Sequence, residues 1–136
     1  MVRKTTKKYT FTIGRRKASV VTLKTYSGKG NNQANGKALD KYFVVKKRVQ
    51  NALSPLIVTD TLAKFYFEAK VSGGGKAGQS DAVKLAVARA LDKIDREKFH
   101  QALKAEKFLT VDSRVRERRK AGTGGKARRQ KQSPKR

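Results

Sequence analysis

The chain has 136 residues, 35 of them Lys or Arg and ten Asp or Glu, for a formal net charge of +25. That length suits one domain with a modest core, and self-repulsion at such a charge destabilises a compact monomer unless a polyanion relieves it. The absence of cysteine excludes disulfide frameworks and thiolate metal sites, a single histidine (His100) supplies histidine catalysis thinly, and no apolar run approaches the ~18 residues of a membrane span.

Residues 1–8 read as a basic N-terminal extension. Tyr9 to Ile13 and Ala18 to Tyr26 are rich in β-branched and aromatic residues, which predicts two strands. Gly14-Arg15-Arg16-Lys17 separates them as a bulge or bend. Ser27 to Asn32 is a turn, and Asn35-Gly36 marks a tight second one. Leu39, Tyr42 and Phe43 suggest a short helical turn. Val45, Val49, Ala52 and Leu53 fall at helical spacing, in a helix expected to end before Ser54-Pro55. Phe65 to Val71 alternates as a half-buried strand does.

After three glycines comes the strongest helical pattern, with Ser80 as the expected cap and Asp81 suited to the positive end of the dipole. Val83, Val87, Ala90, Leu91 and Ile94 form its apolar stripe. Asp95 can cap a last helix running through Leu103, with Phe99 and Leu103 facing inward. This order predicts an α+β domain over 9–112, one small sheet with helices on one face.

The charge is unevenly laid out. Residues 1–50 carry 14 basic and one acidic side chain, residues 51–112 carry 10 and eight, and residues 113–136 carry 11 and one. The middle resembles an ordinary globular protein and the flanks are built for an anion. Beyond Val115 no large aliphatic or aromatic residue remains, so 113–136 cannot offset its ordering entropy by folding on itself. It reads as an extended basic tail reaching at most ~80 Å.

Gly73-Gly74-Gly75-Lys76-Ala77-Gly78-Gln79-Ser80 nearly spells the nucleotide-binding loop G-x-x-x-x-G-K-[ST], with Gln79 where the phosphate-binding lysine belongs. Strands ending in a metal-holding aspartate could be supplied by Leu56 to Asp60 or Phe108 to Asp112. A neutral Gln79 argues against triphosphate chemistry. Two readings remain: the glycines permit close strand–helix packing, or their amides and the helix dipole hold a phosphate of a nucleic-acid backbone.

From about Tyr9 to Arg136 the chain resembles the family of small-subunit ribosomal protein nine. The marks are Gly14-Arg15-Arg16-Lys17, Asn35-Gly36 before Leu39 and Tyr42-Phe43, and Gly73-Gly74-Gly75 with Gly78-Gln79. Arg89-Ala90-Leu91 and Asp112 follow, then Glu117-Arg118-Arg119-Lys120, Lys126-Ala127-Arg128-Arg129 and the terminal Lys135-Arg136. Glutamine is usual in that family's glycine loop. The resemblance implies a ribosomal left-handed βαβ fold, an exception to the right-handed rule. It also implies residence in the head of the small subunit beside neighbouring ribosomal proteins, on a cytoplasmic ribosome or, alternatively, an organelle one.

Charge, loop and resemblance together give an expected rRNA-binding set. On the body it comprises Arg15, Arg16, Lys17, Gly73, Gly74, Gly75, Lys76, Gly78 and Gln79. On the tail it comprises Arg114, Arg116, Arg118, Arg119, Lys120, Lys126, Arg128 and Arg129. By resemblance, Arg129, Lys135 and Arg136 approach the anticodon stem-loop of the peptidyl-site tRNA. No catalytic residue, metal or cofactor is expected. The chain departs from the family at Gly122-Thr123-Gly124-Gly125, one residue longer and looser than usual. It also has Ser133-Pro134 near a tip that usually bears an aromatic. A small phosphate-loop enzyme and a free DNA-binding protein are the competing classes. The first is opposed by Gln79, and the second by the lack of a helix with an Arg, Asn and Gln reading stripe.

Overall fold

The computed structural model describes residues 7–122. The first half contains β1 (Thr10–Arg16), β2 (Ser19–Ser27), β3 (Gln33–Ala34), β4 (Lys37–Ala38), α1 (Leu39–Phe43) and α2 (Lys46–Val58). The second contains β5 (Phe65–Ser72), α3 (Lys76–Ile94) and α4 (Arg96–Ala105). The sheet order is β1-β2-β5-β3-β4. All neighbours are antiparallel except β3 and β5, which run parallel and are joined through α1 and α2. The α+β class expected from the sequence is the one found.

Alternation decides which sheet face is covered. Thr12 and Gly14, then Val21, Leu23 and Thr25, then Phe67, Ala69 and Val71 are buried, while Phe11, Ile13, Lys24, Glu68 and Lys70 face outward. α3 lies across the covered face, with Val83, Ala86, Val87, Ala90 and Leu91 in the shared core. Its approach to β1 is unusually close. A Cβ on Gly14 would fall 2.0 Å from the Ala82 carbonyl oxygen and 2.8 Å from the Ala86 nitrogen. Three hydrogen bonds fasten the same strand to the helix. The Thr12 hydroxyl donates to the Ala86 carbonyl (2.9 Å), Arg89 to the Ile13 carbonyl (2.8 Å) and Lys93 to the Phe11 carbonyl (3.4 Å). The two long cations thereby occupy the carbonyls of an edge strand and blunt it against pairing with another chain.

Asn35 and Gly36 both have positive φ (51° and 79°) between the paired residues Ala34 and Lys37, the two-residue hairpin expected of Asn-Gly. Asn35 also extends β3 by chemistry rather than by chain. Its side-chain amide donates to the Val71 carbonyl (2.9 Å) and accepts from the Val71 N–H (2.8 Å), as a neighbouring peptide would. At the other end the Asn32 side chain accepts from the Phe67 N–H.

Several expectations are corrected. Gly14 to Arg16 is not a bulge: β1 runs through it and reverses at Lys17-Ala18, the glycine being required by α3 rather than by a bend. α2 does not stop at Ser54-Pro55 but continues to Val58. A proline inside a helix costs ~3 kcal/mol. Here its ring is fully buried beside Leu56, and burying each such side chain returns roughly 1.5–3 kcal/mol. The Leu56 to Asp60 and Phe108 to Asp112 strings are therefore not strands. Asp95 does cap α4, accepting from the Lys98 N–H, and Phe99 and Leu103 are buried as expected.

Replacing Gly14 with alanine should cost about 3 kcal/mol, the upper end for overpacking, because backbone rather than a flexible side chain stands in the way. Urea unfolding of the G14A protein measures it, and a loss below about 1 kcal/mol would show that α3 can retreat from β1.

Candidate nucleic-acid interface

One end of the sheet gathers the elements singled out by sequence. The β1–β2 hairpin turns there at Lys17, which has φ 53°. Pairing of Val20 with Ser72 brings the glycine segment alongside. Gly73 and Gly74 both sit in the left-handed region, at φ 73° and 63°, and both lack room for a side chain. Added Cβ atoms would lie 2.5 Å from the Ala18 carbonyl and 2.3 Å from the Ser19 hydroxyl. Gly78 approaches the same hydroxyl, which donates to the Gly73 carbonyl at 3.1 Å. The packing reading thus holds for Gly73, Gly74 and Gly78, whose role is to wrap Ser19. Gly75 differs: no atom lies within 4 Å of an added Cβ, and it begins α3 with no side-chain cap.

The expected cap, Ser80, lies a full turn inside α3 and donates instead to the Arg48 carbonyl at 2.7 Å. Asp81 is likewise beyond the first turn, bonded by Asn51 at 2.7 Å. The helix start therefore leaves its first amides without a protein cap, an arrangement that favours an anion. Gln79 does not contribute to it. The side chain is buried at 8% exposure, donating to the Gly73 carbonyl (3.0 Å) and accepting from the Tyr42 hydroxyl (2.8 Å). Lys76 is exposed, with its ammonium 3.4 Å from the centroid of the Tyr42 ring. Such a cation–π contact fixes the direction of a flexible point charge.

The three hairpin cations divide. Arg15 and Lys17 are exposed and form no ion pair among the described residues. Arg16 turns inward, its side chain 15% exposed. It lies 3.4 Å from Asp112 and 3.8 Å from Asp81, and donates to the Arg114 carbonyl at 2.7 Å. Arg114 closes the clasp from the other side, donating to Asp112 from its backbone (3.1 Å), Nε (3.0 Å) and Nη2 (2.8 Å). Hydrogen bonds from the Arg114 side chain, then its backbone, hold the Asp112 carboxyl well below the usual carboxylate range. Arg116, Arg118, Arg119 and Lys120 are exposed. Lys126, Arg128, Arg129, Lys135 and Arg136 lie outside the described residues.

Sequence reading missed the two acids as anchors and gave Arg16 an outward role. The available signal was one isolated aspartate, Asp112, immediately before the basic tail.

A family model described as ribosomal protein S9/S16 matches residues 14–136. The chain belongs to the ribosomal protein S9/S16 family. A small ribosomal subunit protein uS9 of Dehalococcoides mccartyi is 44% identical over 122 residues, 90% of both chains. One from Bifidobacterium animalis subsp. lactis is 44% identical over 123 residues, 90% of this chain and 75% of the relative. One from Leifsonia xyli subsp. xyli is 42% identical over 110 residues, 81% of this chain and 66% of the relative. Membership in this family implies a structural role in the small ribosomal subunit, within the ribonucleoprotein that carries out translation.

The clasp has a defined pH dependence. The carboxyl of Asp112 titrates well below its unfolded value of ~3.9 when folded, so the clasp's contribution to stability is complete above that value and is lost as pH falls from there through the lower folded pKa. The Arg114 amide resonance should therefore hold steady from pH 8 to 5 and move only in acid. A midpoint between pH 5 and 7 would contradict the geometry.

Proposed function

We propose that the chain binds small-subunit rRNA in the subunit head of a cytoplasmic, bacterial-type ribosome, and that its tail reaches the anticodon stem-loop of the peptidyl-site tRNA. The observation that carries this reading is the family match, which extends through the basic tail to residue 136. The geometry adds support on the body: exposed Arg15 and Lys17 stand beside the uncapped start of α3 and the directed ammonium of Lys76. Residues 9–112 act as the rRNA-binding body and 113–136 as the extended tail. The chemistry is that of phosphate neutralisation, which needs no catalytic group, metal or cofactor.

Replacing Arg15 and Lys17 with alanine should weaken binding to an rRNA fragment. It should also flatten its dependence on salt, by about 0.7–0.9 in the log–log slope for each phosphate no longer neutralised. R16A should instead act through the clasp and lower stability while leaving that slope nearly unchanged. An unaltered slope in the R15A/K17A protein would remove both residues from the interface.

Deleting Lys135 and Arg136 should leave subunit assembly nearly intact, since body and remaining tail still hold rRNA. Peptidyl-site tRNA should dissociate a few-fold faster, a loss on the order of 1 kcal/mol for screened, accessible charges. Loss of Arg136 should matter more than loss of Lys135, because only the guanidinium pairs bidentately with phosphate. Equal dissociation rates from intact and truncated ribosomes, at low and high salt, would leave the terminal pair without a tRNA role.

A further inference from the structure

The opposite end of the sheet carries a second basic surface of different chemistry. Tyr26 and Tyr66 lie directly across from each other on β2 and β5, with rings stacked at 5.2 Å and 19°. Tyr9, just before β1, continues the row at 5.9 Å and 60° from Tyr26. The far face of Tyr66 is closed by the backbone at Gly30, where a Cβ would fall 2.6–2.8 Å from ring atoms. Tyr9, 48% exposed, ends an aromatic row braced from behind, with the Lys24 ammonium 5.0 Å from the centroid of its ring.

A cleft of about 730 Å³ runs along this row. Lys7, Lys8, Lys29 and Lys93 line it, and no carboxylate does. Glu68 accepts from the Tyr26 hydroxyl at 3.4 Å but is not part of the lining. Thr25, 5% exposed, also forms part of the wall. Its hydroxyl is the one buried side-chain polar atom without a hydrogen-bond partner among the described residues. The cleft begins at Thr25 and the hairpin end at Ser19 of the same strand, roughly 20 Å apart at ~3.3 Å per residue.

We propose that this cleft holds an unpaired nucleotide of a single-stranded RNA segment, an inference that rests on the rRNA-binding reading above. The base stacks on Tyr9 and the lysines take the flanking phosphates. A row of aromatic rings among cations fits stacked, unpaired RNA. A duplex would present only phosphates and keep its bases out of reach. Because the lysines meet phosphate while the ring meets the base, the grip is tolerant of sequence.

The test uses the full chain and a single-stranded RNA hexamer carrying a fluorescent aminopurine at its centre, because bulk affinity also reports the other basic surfaces. Emission should be quenched on binding as the base stacks. Y9L keeps an apolar side chain at an exposed position, and its fold is checked by circular dichroism. It should lose most of the quench and about ten-fold in affinity, with the salt slope unchanged. K7A/K8A should flatten the slope while keeping the quench at saturation, and R15A/K17A should leave the saturated quench untouched. Equal quenching by Y9L and the parent protein would overturn the proposal, as would a duplex of equal length competing as well as the single strand. If Y9L left the quench intact but impaired incorporation of a neighbouring protein into reconstituted subunits, the cleft would be a protein contact and the RNA assignment would fall. Failure of the cleft alone leaves the parent protein bound to folded rRNA fragments, whereas failure of the wider reading abolishes that binding too.

Discussion

The position of α3 against β1 governs most of this molecule. The helix can lie where it does because Gly14 has no side chain and the residues it meets, Ala82 and Ala86, have small ones. That approach places the helix over β1 and β2, where it buries Val83, Val87 and Leu91 against Val21, Leu23 and Phe67. Both ends of the helix are then fixed relative to the sheet. Its uncapped start meets the hairpin tip and the glycine loop, and its last turn brings Lys93 and Ile94 to the tyrosine cleft. Two surfaces for anions are positioned by one close approach of backbones.

Charge within the described residues is used in two ways. Some cations are held: Arg16 by Asp81 and Asp112, Lys84 by Asp81 and Asn51, Arg89 and Lys93 by carbonyls of β1. Others, such as Arg15 and Lys17, are displayed. Asp81 and Asp112 work on the first group, and Asp92 meets His100 at 2.7 Å. Partly exposed pairs of this kind are worth on the order of 1 kcal/mol each, far less than the apolar core beneath α3. Their effect is directional. The clasp of Arg16, Asp112 and Arg114 sets where the chain leaves the body before residue 114, and so sets where the basic tail starts.

Local patterns were legible in the sequence wherever the governing interaction is local. Alternation marks β5, Asn35-Gly36 the turn between β3 and β4, and Asp95 the start of α4. What was not legible depends on partners far along the chain. Gly14 resembles a bend until Ala82 and Ala86 are placed over it, and Pro55 resembles a stop until its ring is seen in the core. Ser80 has the chemistry of a cap, but Arg48 on α2 takes its hydroxyl. At the candidate site, the fold does bring together the hairpin, the glycine loop and the root of the tail. The inward turn of Arg16 could not be foreseen, since nothing in Arg15-Arg16-Lys17 says which cation lies on the covered side. The tyrosine row was invisible for the same reason. Positions 9, 26 and 66 meet only once the β2–β5 register aligns Tyr26 with Tyr66.

Gln79 shows how the same loop can mimic a triphosphate site and not be one. The lysine of a nucleotide-binding loop must reach phosphate with its charge intact. Position 79 points into the protein, where one end of the amide holds the Gly73 carbonyl and the other receives the Tyr42 hydroxyl. The opposite surface of that interaction, the Tyr42 ring, already carries the Lys76 ammonium at 3.4 Å. A second ammonium at 79 would be buried, would lack the acceptor that the hydroxyl now uses, and would repel the first. Neutrality at 79 is therefore demanded by the joint that shapes the loop. The loop's positive character falls to Lys76, on the outside, where an extended polyanion rather than an enclosed nucleotide can meet it.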